Sequence, residues 1–88
     1  MPGALQIWSH VFCRHFDRLP PDMREDITRK VDELGRRLDS WPHVRLSGRS
    51  EFKLRVGDYR VLDEFDLAAG RLHLLFVGNR REIYKSNA

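Results

Sequence analysis

Phe52-Lys53-Leu54-Arg55-Val56-Gly57-Asp58-Tyr59-Arg60-Val61-Leu62 is the stretch that decides how this chain folds. Two runs of strand-like alternation flank Gly57-Asp58. Glycine supplies the positive φ that a two-residue hairpin loop needs, so the stretch predicts a β-hairpin. With that pair as the whole loop, Val56 faces Tyr59 and Arg55 faces Arg60. Side chains alternate along a strand, which puts Lys53, Arg55 and Arg60 on one face. Like charges directly opposite each other destabilise a sheet by roughly 0.2–1 kcal/mol per pair. Two readings account for this. One is a solvated face where water screens the repulsion. The other is a surface built to meet an anion, of which phosphate is the commonest to require several Lys and Arg.

Working outward, Ala4–Trp8 reads as a short first strand, and Ser9 as the cap of a helix. Phe12, Phe16 and Leu19 recur at helical spacing until Pro20-Pro21 interrupts them. Met23, Ile27, Val31, Leu34 and Leu38 then form an apolar stripe with charges on the other face, predicting a second, longer helix. Trp41-Pro42 closes it. Val44–Ser50 reads as a polar connection. Glu51–Val56, Tyr59–Asp66 and Arg71–Gly78 form an antiparallel meander, with Leu67–Gly70 as its second turn. The expected architecture is α+β, one small domain spanning 1–88 in the order β-α-α-β-β-β. Two helices pack on one face of an antiparallel sheet. The opposite face is left partly open, with Lys53, Arg55 and Arg60 pointing to it.

The 88 residues suffice for one small core, and a hydrophobic content of 41% supports packing rather than disorder. Net charge is +3, and its distribution is uneven. Residues 1–39 carry seven basic and seven acidic side chains, whereas residues 40–88 carry nine and six. The surplus in the second half is a basic field suited to nucleic acid. No apolar run approaches the length of a membrane span, and Met1–Trp8 lacks a basic-then-apolar leader. Cys13 is the only cysteine, so no internal disulfide forms. The expectation is a cytosolic protein without membrane contact.

Catalytic patterns are few. His10, His15, His43 and His73 lack partner cysteines and helical i, i+4 spacing, so no metal centre is expected. No phosphate loop, dinucleotide fingerprint or nucleophile elbow occurs. Asp63, Glu64 and Asp66 read as a solvated strand edge or as partners for nearby arginines. What remains is a basic set, Lys53, Arg55, Arg60 and Arg80, with Tyr84 after it. Arg45, Arg49, Arg81 and Lys85 extend its charge. Arginines can stabilise a phosphate that gains charge in a transition state. A lysine gives up its proton more readily than an arginine, which makes Lys53 the candidate acceptor from an RNA 2′-OH. A tyrosine can stack on a base of single-stranded RNA.

The hairpin, followed by Val77-Gly78-Asn79-Arg80-Arg81-Glu82-Ile83-Tyr84, resembles the RelE/ParE toxin superfamily. The first strand, Ser9, Leu19-Pro20, the long charged helix and Leu46-Ser47-Gly48 fit the same group, so the resemblance covers residues 4–85. It implies the toxin of a type II toxin–antitoxin module whose partner is a cognate antitoxin. For the RelE-like branch it implies a ribosome-dependent endoribonuclease that cuts messenger RNA in the A site and needs no cofactor. The 2′-OH attacks the adjacent phosphate, leaving a 2′,3′-cyclic phosphate and a 5′-hydroxyl. The positions that match are Lys53 as proton acceptor, Arg55 and Arg60 as phosphate clamps, Arg80 beside the leaving group and Tyr84 against a base. ParE-like members share the fold but poison DNA gyrase, and an inactive relative would only bind its antitoxin.

Overall fold

The computed structural model describes residues 3–85, with side chains as far as Ile83. The elements are β1 (Leu5–Trp8), α1 (His10–Phe16), α2 (Pro21–Arg36), β2 (Val44–Arg45), β3 (Phe52–Val56), β4 (Tyr59–Asp66), β5 (Arg71–Asn79) and α3 (Arg80–Lys85). They form one sheet in the order β1-β5-β4-β3-β2. No helix among the described residues is long and apolar enough to cross a membrane.

The hairpin has the register read from its sequence, with Val56 opposite Tyr59 and Arg55 opposite Arg60. Gly57 has φ +59° and no non-glycine residue among the described residues has positive φ, which is the pattern of a type II′ turn. The α+β class and the chain order of helices and long strands are as expected. Three features differ. First, β1 pairs parallel with β5, so the sheet is mixed rather than antiparallel. The two helices carry the chain from β1 across one face to the far edge, and the returning meander ends beside β1. Second, Val44–Ser50 is not only a connection, because Val44 and Arg45 pair with Lys53 and Phe52 as β2. Third, the segment after the last strand is the helix α3.

Local chemistry accounts for each helix. The Ser9 hydroxyl accepts from the Phe12 amide and donates to the Leu75 carbonyl, both at 3.0 Å. Leu75 is the extra residue of a bulge in β5, since Leu62 pairs with Phe76 and Asp63 with Leu74. One side chain therefore caps α1 and fastens it to the sheet. In α2, Pro21 occupies the first turn, and Ile27, Val31 and Leu34 are buried against Leu54, Val61, Leu72, Leu74 and Val77. On the opposite sheet face, Leu46, Leu62 and Ile83 form a smaller buried cluster. Burying Ile83 there stabilises the docking of α3 by about 2 kcal/mol.

Asp63 corrects the reading of a solvated acidic edge. It is 1% exposed, faces the helix side with Val61 and Phe65, and its Oδ1 has no hydrogen-bond partner among the described residues. Burial, with the Glu64 carboxylate beside it, pushes its carboxyl up to about 7. The folded state therefore holds a proton that the unfolded chain has released.

Two outcomes follow from this packing. A Cβ on Gly78 would lie 3.0 Å from a Phe76 ring carbon and 3.1 Å from the Glu82 Cβ. Gly78→Ala is therefore expected to push α3 off the sheet and lower Tm by at least about 5 °C in thermal unfolding. The raised Asp63 carboxyl should make stability fall as pH rises from about 4 to about 7, by up to ~1.4 kcal/mol per pH unit, and level off above. Asp63→Asn should flatten that slope; an equally steep slope in the variant would assign it to other groups.

Candidate nucleic-acid interface

Pairing β2 with β3 over only two residues has a direct consequence. The chain leaves the sheet at His43 and turns away through Pro42, so Leu54–Val56 has no outer strand. A cleft of about 390 Å³ opens at that gap, lined by Lys30, Trp41, Pro42, Val44, Lys53, Leu54, Arg55 and Arg60. Three of the five basic or aromatic residues expected at the site, Lys53, Arg55 and Arg60, thus share one concavity.

Their charge is not cancelled internally. No carboxylate among the described residues lies within ion-pair distance of Lys53, Arg55 or Arg60, whereas Arg29, Arg37 and Arg49 are each paired with an acid. The Arg60 Nη1 instead donates to the Gly57 and Tyr59 carbonyls, each at 3.0 Å. These neutral acceptors orient the guanidinium while leaving its positive charge uncompensated. Arg55, directly opposite, is exposed. The arrangement costs stability and leaves two cationic side chains side by side.

Arg80 reaches this region through α3. Asn79 Oδ1 accepts from the Arg81 and Glu82 amides at 3.0 Å, and Glu82 Oε1 accepts from the Asn79 amide at 3.3 Å. Asn79-Arg80-Arg81-Glu82 is therefore a reciprocal capping box with Asn in the capping role. The Arg80 amide donates to the Asp58 carbonyl at 3.2 Å, tying the start of α3 to the hairpin turn. Arg60 and Arg80 are thus anchored on consecutive carbonyls of one turn. Arg80 and Arg81 line a separate depression of about 410 Å³ with Asp58 and Asn79, which shares no lining residue with the cleft of Lys53, Arg55 and Arg60. Tyr84 and Lys85 belong to α3, and their side chains lie outside the described residues.

Arg45 and Arg49 sit apart from the cleft lining. The Arg45 guanidinium lies over the Phe52 ring, 4.7 Å from its centroid. Arg49 Nε donates to Glu51 Oε1 at 2.7 Å, and that bond holds the Glu51 carboxyl below its usual range. Two of the histidines, His15 and His43, have packing roles. His43 stacks on Phe65 with centroids 4.0 Å apart and has a ring nitrogen 2.7 Å from the Leu38 carbonyl; His15 packs on Phe76. Lys30 and Trp41 were not anticipated at the site. Their sequence signal, a lysine on a charged helix face and a tryptophan at a helix end, points first to solvation and to packing.

No protein-family profile matches the chain, and no curated protein does. Solved structures do match. The chain is similar to the RelBE2 toxin–antitoxin complex of Mycobacterium tuberculosis, with TM-score 0.76 and 23% identity over 91% of this chain and 94% of that one. It is similar to the archaeal RelE–RelB complex of Pyrococcus horikoshii, with TM-score 0.72 and 17% identity over 91% and 97%. It is also similar to the isolated E. coli RelE toxin, with TM-score 0.70 and 18% identity over 96% and 94%. At this level of identity the shared property is the path of the backbone: the chain has the fold of the RelE toxins.

Proposed function

We propose that the chain is the toxin of a type II toxin–antitoxin module and an endoribonuclease that cleaves messenger RNA in the ribosomal A site. The observation that carries this reading is the cleft in which Lys53, Arg55 and Arg60 stand together without neutralising carboxylates. A binding module for a protein partner has no need to hold Arg55 against Arg60. A site that clamps a phosphate and stabilises its extra negative charge does.

In the reaction, the RNA 2′-oxygen attacks the neighbouring phosphorus as its proton passes to the Lys53 amine, which acts as the base. Arg55 and Arg60 hold the non-bridging oxygens. The bond from phosphorus to the 5′-oxygen breaks, Arg80 offsets charge on the departing oxygen, and that oxygen takes a proton from water to become a 5′-hydroxyl. The 3′ side is left as a 2′,3′-cyclic phosphate. Tyr84 orients a base by stacking. The RelE–RelB complexes among the similar structures support an antitoxin as partner, and acidic side chains on such a protein would satisfy the exposed basic cleft.

Inducing the chain alone is expected to stop growth through loss of protein synthesis, with ribosome-associated messenger RNA acquiring 2′,3′-cyclic phosphate ends. Unimpaired growth at good soluble expression would reject the reading. Arrest of DNA synthesis with translation intact would replace it with gyrase inhibition.

The site residues can be separated from the fold. Arg55→Thr removes a like-charge pair, so Tm should hold or rise slightly while cleavage falls by roughly 10²–10³. Arg80→Ala keeps the backbone bond to Asp58 and should lose activity to a similar extent with Tm unchanged. Cleavage at the native rate by either folded variant removes that residue from the site.

A further inference from the structure

We propose that Lys30 and Trp41 form a subsite for one nucleotide of single-stranded RNA, carrying the strand off the sheet and along α2. This rests on the RNA-directed reading of the cleft and extends it to a wall that has no part in the chemistry. Four observations support it. The cleft that holds the basic set also has an apolar lining, made of Trp41, Pro42 and Val44, and Val44, the cross-strand partner of Lys53, is 52% exposed. A site for phosphate alone would not need such surface, whereas a nucleotide presents both an anion and a flat base.

Lys30 supplies the second observation. Its Nζ lies 5.5 Å from the Trp41 ring centroid, and it is joined to no carboxylate among the described residues. The nearby arginines are each paired with acids, Arg29 with Glu25 and Asp26, and Arg37, at the C-cap of α2, with Glu33. Third, the Arg37 guanidinium lies 5.3 Å from the same centroid, so the indole is held in a cationic setting before any ligand arrives. Fourth, a second depression of about 380 Å³ shares Lys30 and Arg55 with the first and continues past Val56 and Gly57. A groove therefore runs from Lys53 and Arg60 over the unpaired edge of β3 to α2. The acids at its far end, Asp26 and Glu33, contact Arg29 and Arg37 rather than Lys30, which has no ion pair among the described residues.

The test is a titration of the full chain with a short, fully 2′-O-methylated oligoribonucleotide, which binds but cannot be cut. Anisotropy is read at several salt concentrations. Lys30→Gln is expected to reduce the slope of log affinity against log salt by about 0.7. Trp41→Leu should weaken binding roughly 5–150-fold, and Trp41→Phe, which keeps a ring and the packing, should restore most of it. Lys30→Gln alters a surface side chain and keeps the test decisive if Trp41→Leu fails to fold. Native slope and affinity in folded Lys30→Gln and Trp41→Phe would overturn the subsite while leaving cleavage by the native chain, and hence the nuclease reading, intact. Oligonucleotide binding that depends on both residues without any cleavage would do the reverse. Binding of an acidic peptide, but no oligonucleotide, at this wall would also overturn it.

Discussion

The two-residue turn at Gly57-Asp58 is the constraint on which the rest of this molecule depends. Its positive φ at Gly57 alone sets the register that places Arg55 against Arg60. Its carbonyls then do further work. Those of Gly57 and Tyr59 hold the Arg60 guanidinium, and that of Asp58 receives the Arg80 amide. Residues twenty positions apart in sequence are thereby brought to one corner of the sheet. A longer or differently twisted loop would shift the strand pairing by a residue and send the basic side chains into the helix-covered face. The register is therefore protected twice, by the turn and by the apolar partners Leu54 and Val61.

What the sequence made legible were the features set by local periodicity. The apolar stripe from Met23 to Leu38 gives a helix, although α2 ends at Arg36, before Leu38 and the Trp41-Pro42 expected to close it, and the alternation around the hairpin gives the expected register. The parallel pairing of β1 with β5 was not legible, because nothing local to Leu5–Trp8 records which strand will lie beside it. The α3 cap has a sequence signal, since Asn79 and Glu82 have capping-box spacing, but the six residues of α3 are too few for an apolar periodicity to mark the helix that the cap opens. Asp63 was misread for a similar reason. It shares its parity with Val61 and Phe65, which places it on the buried face, and its charge argued against that placement. Here the alternation of the strand prevailed over the preference of a carboxylate for water, and the raised proton affinity is the consequence.

That burial also bears on the basic cleft. Asp63 pairs with Phe52, one step along β3 from Lys53, yet on the other face of the sheet. An ionised carboxylate there would weaken the positive field across a thin layer of protein. Holding the proton up to about pH 7 keeps the nearest acid of the hairpin strands neutral through the acidic range. On the open face the acids that could pair with Lys53, Arg55 or Arg60 are simply absent from reach among the described residues. Both faces thus leave the cleft's charge for a ligand, and both lower stability by doing so.

The short second strand completes this arrangement. Had β2 continued beyond Val44, it would have paired with Leu54–Val56, extended the ladder and sealed the edge. Instead Pro42 turns the chain away, and the unpaired edge lies between the basic face and α2. Exposed strand edges invite unwanted pairing, and a sheet commonly guards them with charge. Lys53 and Arg55 guard this one in the same way that they would hold a phosphate. Protection of the edge and attraction of an anion therefore call for the same residues, so the fold can keep a gap open at the point where the RNA strand would cross to Lys30 and Trp41.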